Sequence, residues 1–274
     1  MTELPPPGSQ FIIPDWPELP SNIRALVTTR AQGASLGAYD DGRGCPGFNL
    51  GDHVGDTPEA VALNRAYLNQ FTPKPVIFLS QIHSTIVRDA AELRLAQADV
   101  EADACVTNAA QEVCAVLTAD CLPVLLAAAD GSVVAAAHAG WRGLAHGVLE
   151  NTVAAMREKG AQDVIAWLGP AIGPAKFEVG EDVLQAFLTR AQCYPNTREI
   201  EADKLRACFS QFAVNGAQKK MLADIYGLAR LILNSVGVTQ IAGGLECTVS
   251  DAQRFYSYRR DRQTGRMASL IWRE

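Results

Sequence analysis

Between Leu117 and Gly143 the chain reads LTADCLPVLLAAADGSVVAAAHAGWRG, two apolar runs joined at Asp130-Gly131. Asp-Gly between apolar segments is a strong local signal for a two-residue hairpin, because both central positions of a type I′ turn need positive φ and these residues tolerate it. With that turn, Ala129 faces Ser132 and Pro123 faces His138. Cys121 shares the parity of Pro123, so its side chain leaves the sheet on the face of His138, one diagonal step away, about 7 to 8 Å at Cα. A metal about 2.3 Å from a thiolate and about 2.0 Å from an imidazole nitrogen fits between two such side chains, as does a direct thiol–imidazole hydrogen bond. An isolated Cys in a buried strand ordinarily serves as a small hydrophobe. Both candidates here stand at strand ends beside polar or turn residues, where loops build sites.

A catalytic zinc needs three protein ligands and an open position. The chain has four histidines. His146 falls inside a helical pattern, His53 in a loop rich in Gly and Asp, and His83 closes the apolar run FLSQIHSTIV. Position therefore ranks His83 first, His53 second and His146 third as the partner of Cys121 and His138, while Cys105 and Cys114 are assigned to the core. His138 leads into Gly140-Trp141-Arg142-Gly143, a turn into a helix whose N-terminus can receive an anion, with Arg142 as its first cationic candidate.

The other apolar runs are short and β-branched, which predicts many strands, several of them buried. Helical patterns lie at 57–71, 143–159, 180–190 and 217–236, so the fold class is α+β rather than regularly alternating βαβ. Residues 1–21 carry six of the 14 prolines and read as an extended or loosely docked arm; no linker or repeat divides residues 22–274, which read as a single domain. A net charge of −6 argues against a broad nucleic-acid surface. No run reaches the roughly 18 apolar residues of a membrane span and no secretory signal opens the chain, so a cytoplasmic location is expected. Seven cysteines without regular spacing point to free thiols, not a disulfide framework. GRGCPG, Gly42 to Gly47, matches a dinucleotide fingerprint only by letter, because no strand precedes it and no helix follows.

Six segments, SQIHSTIV, ADACVTN, LTADCLPVLL, HAGWRGLAHGVLENTV, GPAIGPAKFEVGEDV and FYSYRRDRQTGRMASLIWR, together with the earlier GFNLGDHVGD, occur in an order that resembles the YfiH family, also known as the multicopper polyphenol oxidase or laccase-domain family. The resemblance runs from about Thr28 to Arg273. It implies a mixed β-sandwich flanked by helices in α/β/β/α layers and a zinc held by His83, Cys121 and His138. It also implies phosphorolysis of adenosine, inosine and methylthioadenosine, with adenosine deamination at the same site. Two departures from the family pattern are Ser84, where Gly often follows the histidine, and Arg262, where RRDG is common. One thiolate and two neutral imidazoles leave a zinc centre with net charge +1, enough to lower the pKa of a bound water as deamination requires. Phosphorolysis needs an anion site: Arg142 first, with Arg259 and Arg260 as alternatives, while Asn49 of GFNLG is a candidate for ribose or base. Asp103 and Asp120 are candidates for orienting the ligands or for stabilising turns, Asp120 on the face opposite Cys121. The partners expected are purine nucleosides and phosphate, with the chain a monomer or homodimer.

Other readings compete. A laccase-type four-copper cluster needs roughly ten His and Cys ligands, so copper enters only as a single ion substituting for zinc. A metal-free hydrolase with Cys121 as nucleophile and His138 as base leaves His83 unexplained. A metal-stabilised binding module without turnover is a third reading, and peptidoglycan precursor editing is also linked to the family.

Overall fold

The computed structural model describes residues 10–95, 100–190, 200–212 and 220–274. Its strands in chain order are β1 Phe11–Ile12, β2 Ile23–Thr28, β3 Val87–Asp89, β4 Ala104–Thr107, β5 Val113–Thr118, β6 Leu122–Ala128, β7 Val134–Ala139, β8 Val164–Leu168, β9 Glu178–Val179, β10 Phe209–Phe212, β11 Lys220–Ala223, β12 Ile241–Gly243 and β13 Met267–Arg273. A four-stranded sheet, β1-β2-β13-β5, packs face to face on a six-stranded mixed sheet, β12-β8-β6-β7-β4-β3, and a small sheet β10-β11-β9 stands apart.

Every residue of β5, β6 and β7 is buried, as in strands covered on both faces. Period two then divides them. Leu122, Val124, Leu126, Ala135 and Ala137 join the core shared with helices Val148–Glu158 and Ile225–Ser235. Leu125, Ala127, Val134 and Ala136 meet Ala25, Val27, Cys114, Val116 and Ile271 of the other sheet. Beyond that sheet, Leu26, Leu270 and Trp272 pack on Phe48, Leu50 and Leu68 of helix Pro58–Leu68. This is the expected α/β/β/α layering within one mixed α/β domain. From Gln10 onward the N-terminal segment is docked: Phe11 pairs with Thr28 and Trp16 is buried between the sheets, whereas residues 1–9 of the expected arm lie outside the described residues.

The hairpin has the expected register, Pro123 opposite His138, with a different turn. Ala128 accepts from Gly131 N at 2.9 Å and Ala128 N donates to Val133, so the loop is four residues, 129–132, with only Gly131 left-handed at φ 73°. A two-residue and a four-residue loop centred on the same point preserve the same pairing. Asp130 Oδ1 closes the loop by accepting from Ser132 N and Oγ, which does the work a positive φ at Asp130 would have done.

Two helix expectations change. The pattern at 143–159 is two helices, Trp141–His146 and Val148–Glu158, broken at Gly147 with φ 100°. The pattern at 217–236 begins only at Ile225, where Asp224 caps by accepting from Gly227 N, because Lys220–Ala223 is a strand; residues 217–219 lie outside the described residues. The helices at 57–71 and 180–190 appear as Pro58–Leu68 with a 3₁₀ turn at Asn69–Phe71 and as Glu181–Thr189. The six described cysteines are free. No described helix is long and apolar enough to cross a membrane.

Candidate metal centre

At one end of the sandwich, β5 and β7 finish where β13 and β6 begin. His138 is the penultimate residue of β7, on the inter-sheet face, and Cys121 immediately precedes β6. His83 does not close a strand as expected: it lies in an irregular segment before β3 with φ 59°. Asp103 explains how a non-glycine residue is held there. Its fully buried carboxylate accepts from the backbone N–H groups of Ile82 at 3.2 Å, His83 at 3.0 Å and Ser84, and from Ser84 Oγ at 2.8 Å. The same carboxylate holds His138 Nδ1 at 2.8 Å, which fixes the ring and turns Nε2 away from Asp103. Burial works against the charge on Asp103, but the His138 and Ser84 hydrogen bonds outweigh it and keep the carboxyl below its usual range.

The donor atoms of His83, Cys121 and His138 all lie within 4.8 Å of one another, and Cys121 Sγ is 3.7 Å from His83 Nε2. Tetrahedral zinc with the usual bond lengths separates sulfur and nitrogen by about 3.5 Å. The chemistry and spacing of the donors therefore fit zinc after a small contraction. His53 and His146 are exposed and outside the cluster, and Cys105 and Cys114 are buried in the core.

Burial pushes the Cys121 thiol up, but the charge and hydrogen bonds of His138, then His83, outweigh it and bring it down to about 6. Burial likewise disfavours charge on His138, and the Cys121 thiolate and Asp103 overcome it, raising the imidazole to about 9. Near pH 7 the metal-free centre is thus a thiolate–imidazolium pair. A metal requires the thiolate and a neutral imidazole, so loading expels the His138 proton. Zinc affinity is expected to rise with pH up to about 9 and to fall more steeply below about 6, where Cys121 also takes a proton. Calorimetry at pH 7.5 in two buffers of different ionisation enthalpy should report about one proton released per zinc; no release would contradict this protonation state.

Gly140 makes room for the cluster. A Cβ there would stand 2.8 Å from His83 Cδ2 and 3.0 Å from Cys121 Sγ. Gly140→Ala is expected to weaken metal binding about 10- to 100-fold in chelator competition with little change in secondary structure, a loss of the size seen when ligand-supporting groups are disturbed.

Two clefts meet at the triad. One, of about 370 Å³, is lined by Ile172, Phe177, Val179, Tyr258 and Arg259; the other, of about 420 Å³, by Gln81, Thr118, His138 and Arg266. His83, Cys121, Arg142 and Tyr258 line both. Arg142 is exposed, its guanidinium 4.5 Å above the Trp141 ring, and it is the second residue of a helix of only six. Arg259 reaches the first cleft with Nη1 donating to the Glu178 carbonyl at 3.0 Å. Arg260 is consumed by Asp261 and the carbonyls of Thr248 and Phe255. Asp120, φ 88°, points away from the triad: it accepts from Thr248 Oγ1 and from Arg259 N, both at 2.6 Å, tying the Cys121 turn to the loop that carries Arg259.

Asn49 does not reach either cleft. It is fully buried, donating to the Gly51 carbonyl and Asp56 and accepting from Gly51 N and Arg266 N, so its amide has no capacity left for ribose or base. Arg262 adopts φ 63° just after helix Tyr258–Asp261, a conformation that suits glycine better than arginine. Gly140, Tyr258 and Arg266 are the site residues that sequence reasoning missed; the available signal for Arg266 was its place directly before the apolar run MASLIW.

The profile of the family described as multi-copper polyphenol oxidoreductase laccase matches residues 24–274. The chain is 46% identical over 267 residues to a purine nucleoside phosphorylase of Haemophilus influenzae, covering 97% of this chain and 100% of that protein. It is likewise 46% identical over 270 residues to the purine nucleoside phosphorylase YfiH of Escherichia coli, with 96% and 99% covered. A Neisseria meningitidis protein of known crystal structure superposes with a TM-score of 0.83 at 47% identity, over 97% of this chain and 100% of that one.

Proposed function

The chain belongs to the YfiH family, described as multi-copper polyphenol oxidoreductase laccase, and from this we propose that it is a zinc-dependent purine nucleoside phosphorylase that acts on adenosine, inosine and methylthioadenosine and also deaminates adenosine. The observation that carries the reading is the convergence of His83, Cys121 and His138 at the junction of two clefts, beside an Arg142 guanidinium that lines both. In phosphorolysis a phosphate oxygen bonds to ribose C1′ as the C1′–N9 bond breaks, and the base leaves with the bond electrons and gains a proton. The products are free base and ribose 1-phosphate, or its methylthio analogue. Phe177, Ile172, Val179 and Tyr258 give one cleft the apolar and aromatic lining that a purine ring takes. Arg142 offers the planar donor fork suited to phosphate, and Arg259 stands at the rim of the base cleft to orient the sugar or its phosphate. Zinc held by His83, Cys121 and His138 would act as a Lewis acid and lower the pKa of a coordinated water, the chemistry that deamination at purine C6 requires.

The test is incubation of the protein with adenosine, with and without phosphate, resolving adenine, inosine and hypoxanthine by chromatography. Adenine that appears only with phosphate, and inosine without it, are expected. No phosphate-dependent product would end the phosphorylase reading.

The thiolate–imidazolium pair favours one second reading, a metal-free hydrolase with Cys121 as nucleophile and His138 as base. Covalent labelling of Cys121 that tracks turnover in chelated protein would select it. Copper enters as a single ion at the same three donors: four histidines in the whole chain are too few for a four-copper cluster. Stoichiometric copper in protein purified without added copper, with activity lost on its removal, would overturn zinc.

A further inference from the structure

We infer that Arg266, acting with Arg142, binds the inorganic phosphate co-substrate in the second cleft, and that Asn49 is the residue that positions it; this rests on the phosphorylase reading above. Arg266 lines the cleft of about 420 Å³ together with His138, Cys121 and Arg142. Its Nη1 donates to the carbonyls of Thr264 and Gly265, both at 3.1 Å, while Nε and Nη2 have no hydrogen-bond partner, and the group no carboxylate, among the described residues. Its Nε and Nη2 are open to the cleft rather than buried, and a planar donor fork presented there suits an anion. Arg260 is consumed by Asp261 and two carbonyls, whereas Arg259, which donates to one carbonyl, lines the other cleft.

The surroundings are built to aim this side chain. Asn49 Oδ1 accepts from Arg266 N at 2.8 Å and Leu50 N donates to the Arg266 carbonyl at 3.1 Å. Asn49 is itself held by Gly51 and Asp56. A Cβ on Gly51 would stand 2.8 Å from Arg266 Cγ, so glycine is what lets the side chain pass. The segment GFNLG is therefore a clamp on Arg266, not a nucleoside contact. Nucleosides carry no phosphate, so the anion that two guanidiniums beside the triad would meet in this reaction is phosphate, or the sugar phosphate product.

Inorganic phosphate is the probe. In zinc-loaded protein, Arg266→Gln is expected to raise the KM for phosphate and the Kd from calorimetry about tenfold or more, with the KM for adenosine within about twofold and Arg266→Lys intermediate. Asn49→Ala is expected to move the phosphate constants in the same direction, and the double variant to be no worse than Arg266→Gln alone, since both act through one guanidinium. Unchanged phosphate constants in Arg266→Gln, or an equal rise in the KM for adenosine, would overturn the assignment while leaving the phosphorylase reading in place. If the unaltered protein turned over no nucleoside, that reading would fall instead, and calorimetry would decide the anion site alone: phosphate binding lost in Arg266→Gln upholds it, and unchanged binding refutes it.

Discussion

His138→Ala is expected to empty the metal centre and cut nucleoside turnover about a thousandfold or more, since a Lewis acid contributes several kcal/mol and each 1.4 kcal/mol is tenfold in rate. The loss is expected to be chemical and not a failure to fold. Asp103, the partner left behind, still accepts from three backbone N–H groups and Ser84 Oγ, so no buried carboxylate is orphaned. Cys121→Ser provides the control. Its half-buried position tolerates a near-isosteric change, so metal and turnover should be lost while the metal-free protein still folds and melts in one cooperative transition, its melting temperature lowered only by the loss of the thiolate–imidazolium pair. Metal analysis, product chromatography and thermal melting of both variants check this. Either variant retaining full metal and full turnover would refute the assignment of the triad.

Asp103→Asn is expected to damage both the site and the fold. One carboxylate oxygen serves His83 N and His138 Nδ1, the other Ile82 N, Ser84 N and Ser84 Oγ. An amide replaces one acceptor with a donor that must face other donors, whichever way it is turned. A buried mismatch of this kind costs about 1–3 kcal/mol, and it falls on the contact that holds His83 at φ 59°. Metal affinity should drop about 10- to 100-fold as the His138 ring loses its orienting acceptor. Chelator competition reads the first effect and thermal melting of the metal-free protein the second. A variant as stable as the parent, with unchanged affinity, would show that Asp103 organises neither histidine.

Much of the site was legible because its signals are local. The pairing of Pro123 with His138 follows from apolar runs placed symmetrically about one turn, and it survived an error in the turn type because a loop of either length has the same centre. The alternation of β6 and β7 between a helix-facing and a sheet-facing core is period two acting on continuous apolar runs. His83 stands beside Cys121 and His138, as its place at the end of an apolar run suggests, although the strand expected there is absent and the residue is held by Asp103 instead. The long helix at 143–159 was misread because apolar periodicity continues across Gly147, whose left-handed φ of 100° breaks the backbone without disturbing the pattern.

The chain by itself determined the layered α/β architecture, the hairpin register and the grouping of three candidate donors, since turn chemistry, strand alternation and motif order are written in neighbouring positions. The roles of Asn49, Arg266, Asp103 and Gly140 were decided only in three dimensions. Asn49 and Arg266 are 217 residues apart and meet because β13 threads between β2 and β5. That strand order sets which carbonyls and amides consume a polar side chain and which guanidinium is left facing the cleft. A composition or a spacing cannot distinguish a satisfied polar group from a free one, because satisfaction depends on partners that only the assembled sheets bring within hydrogen-bond distance.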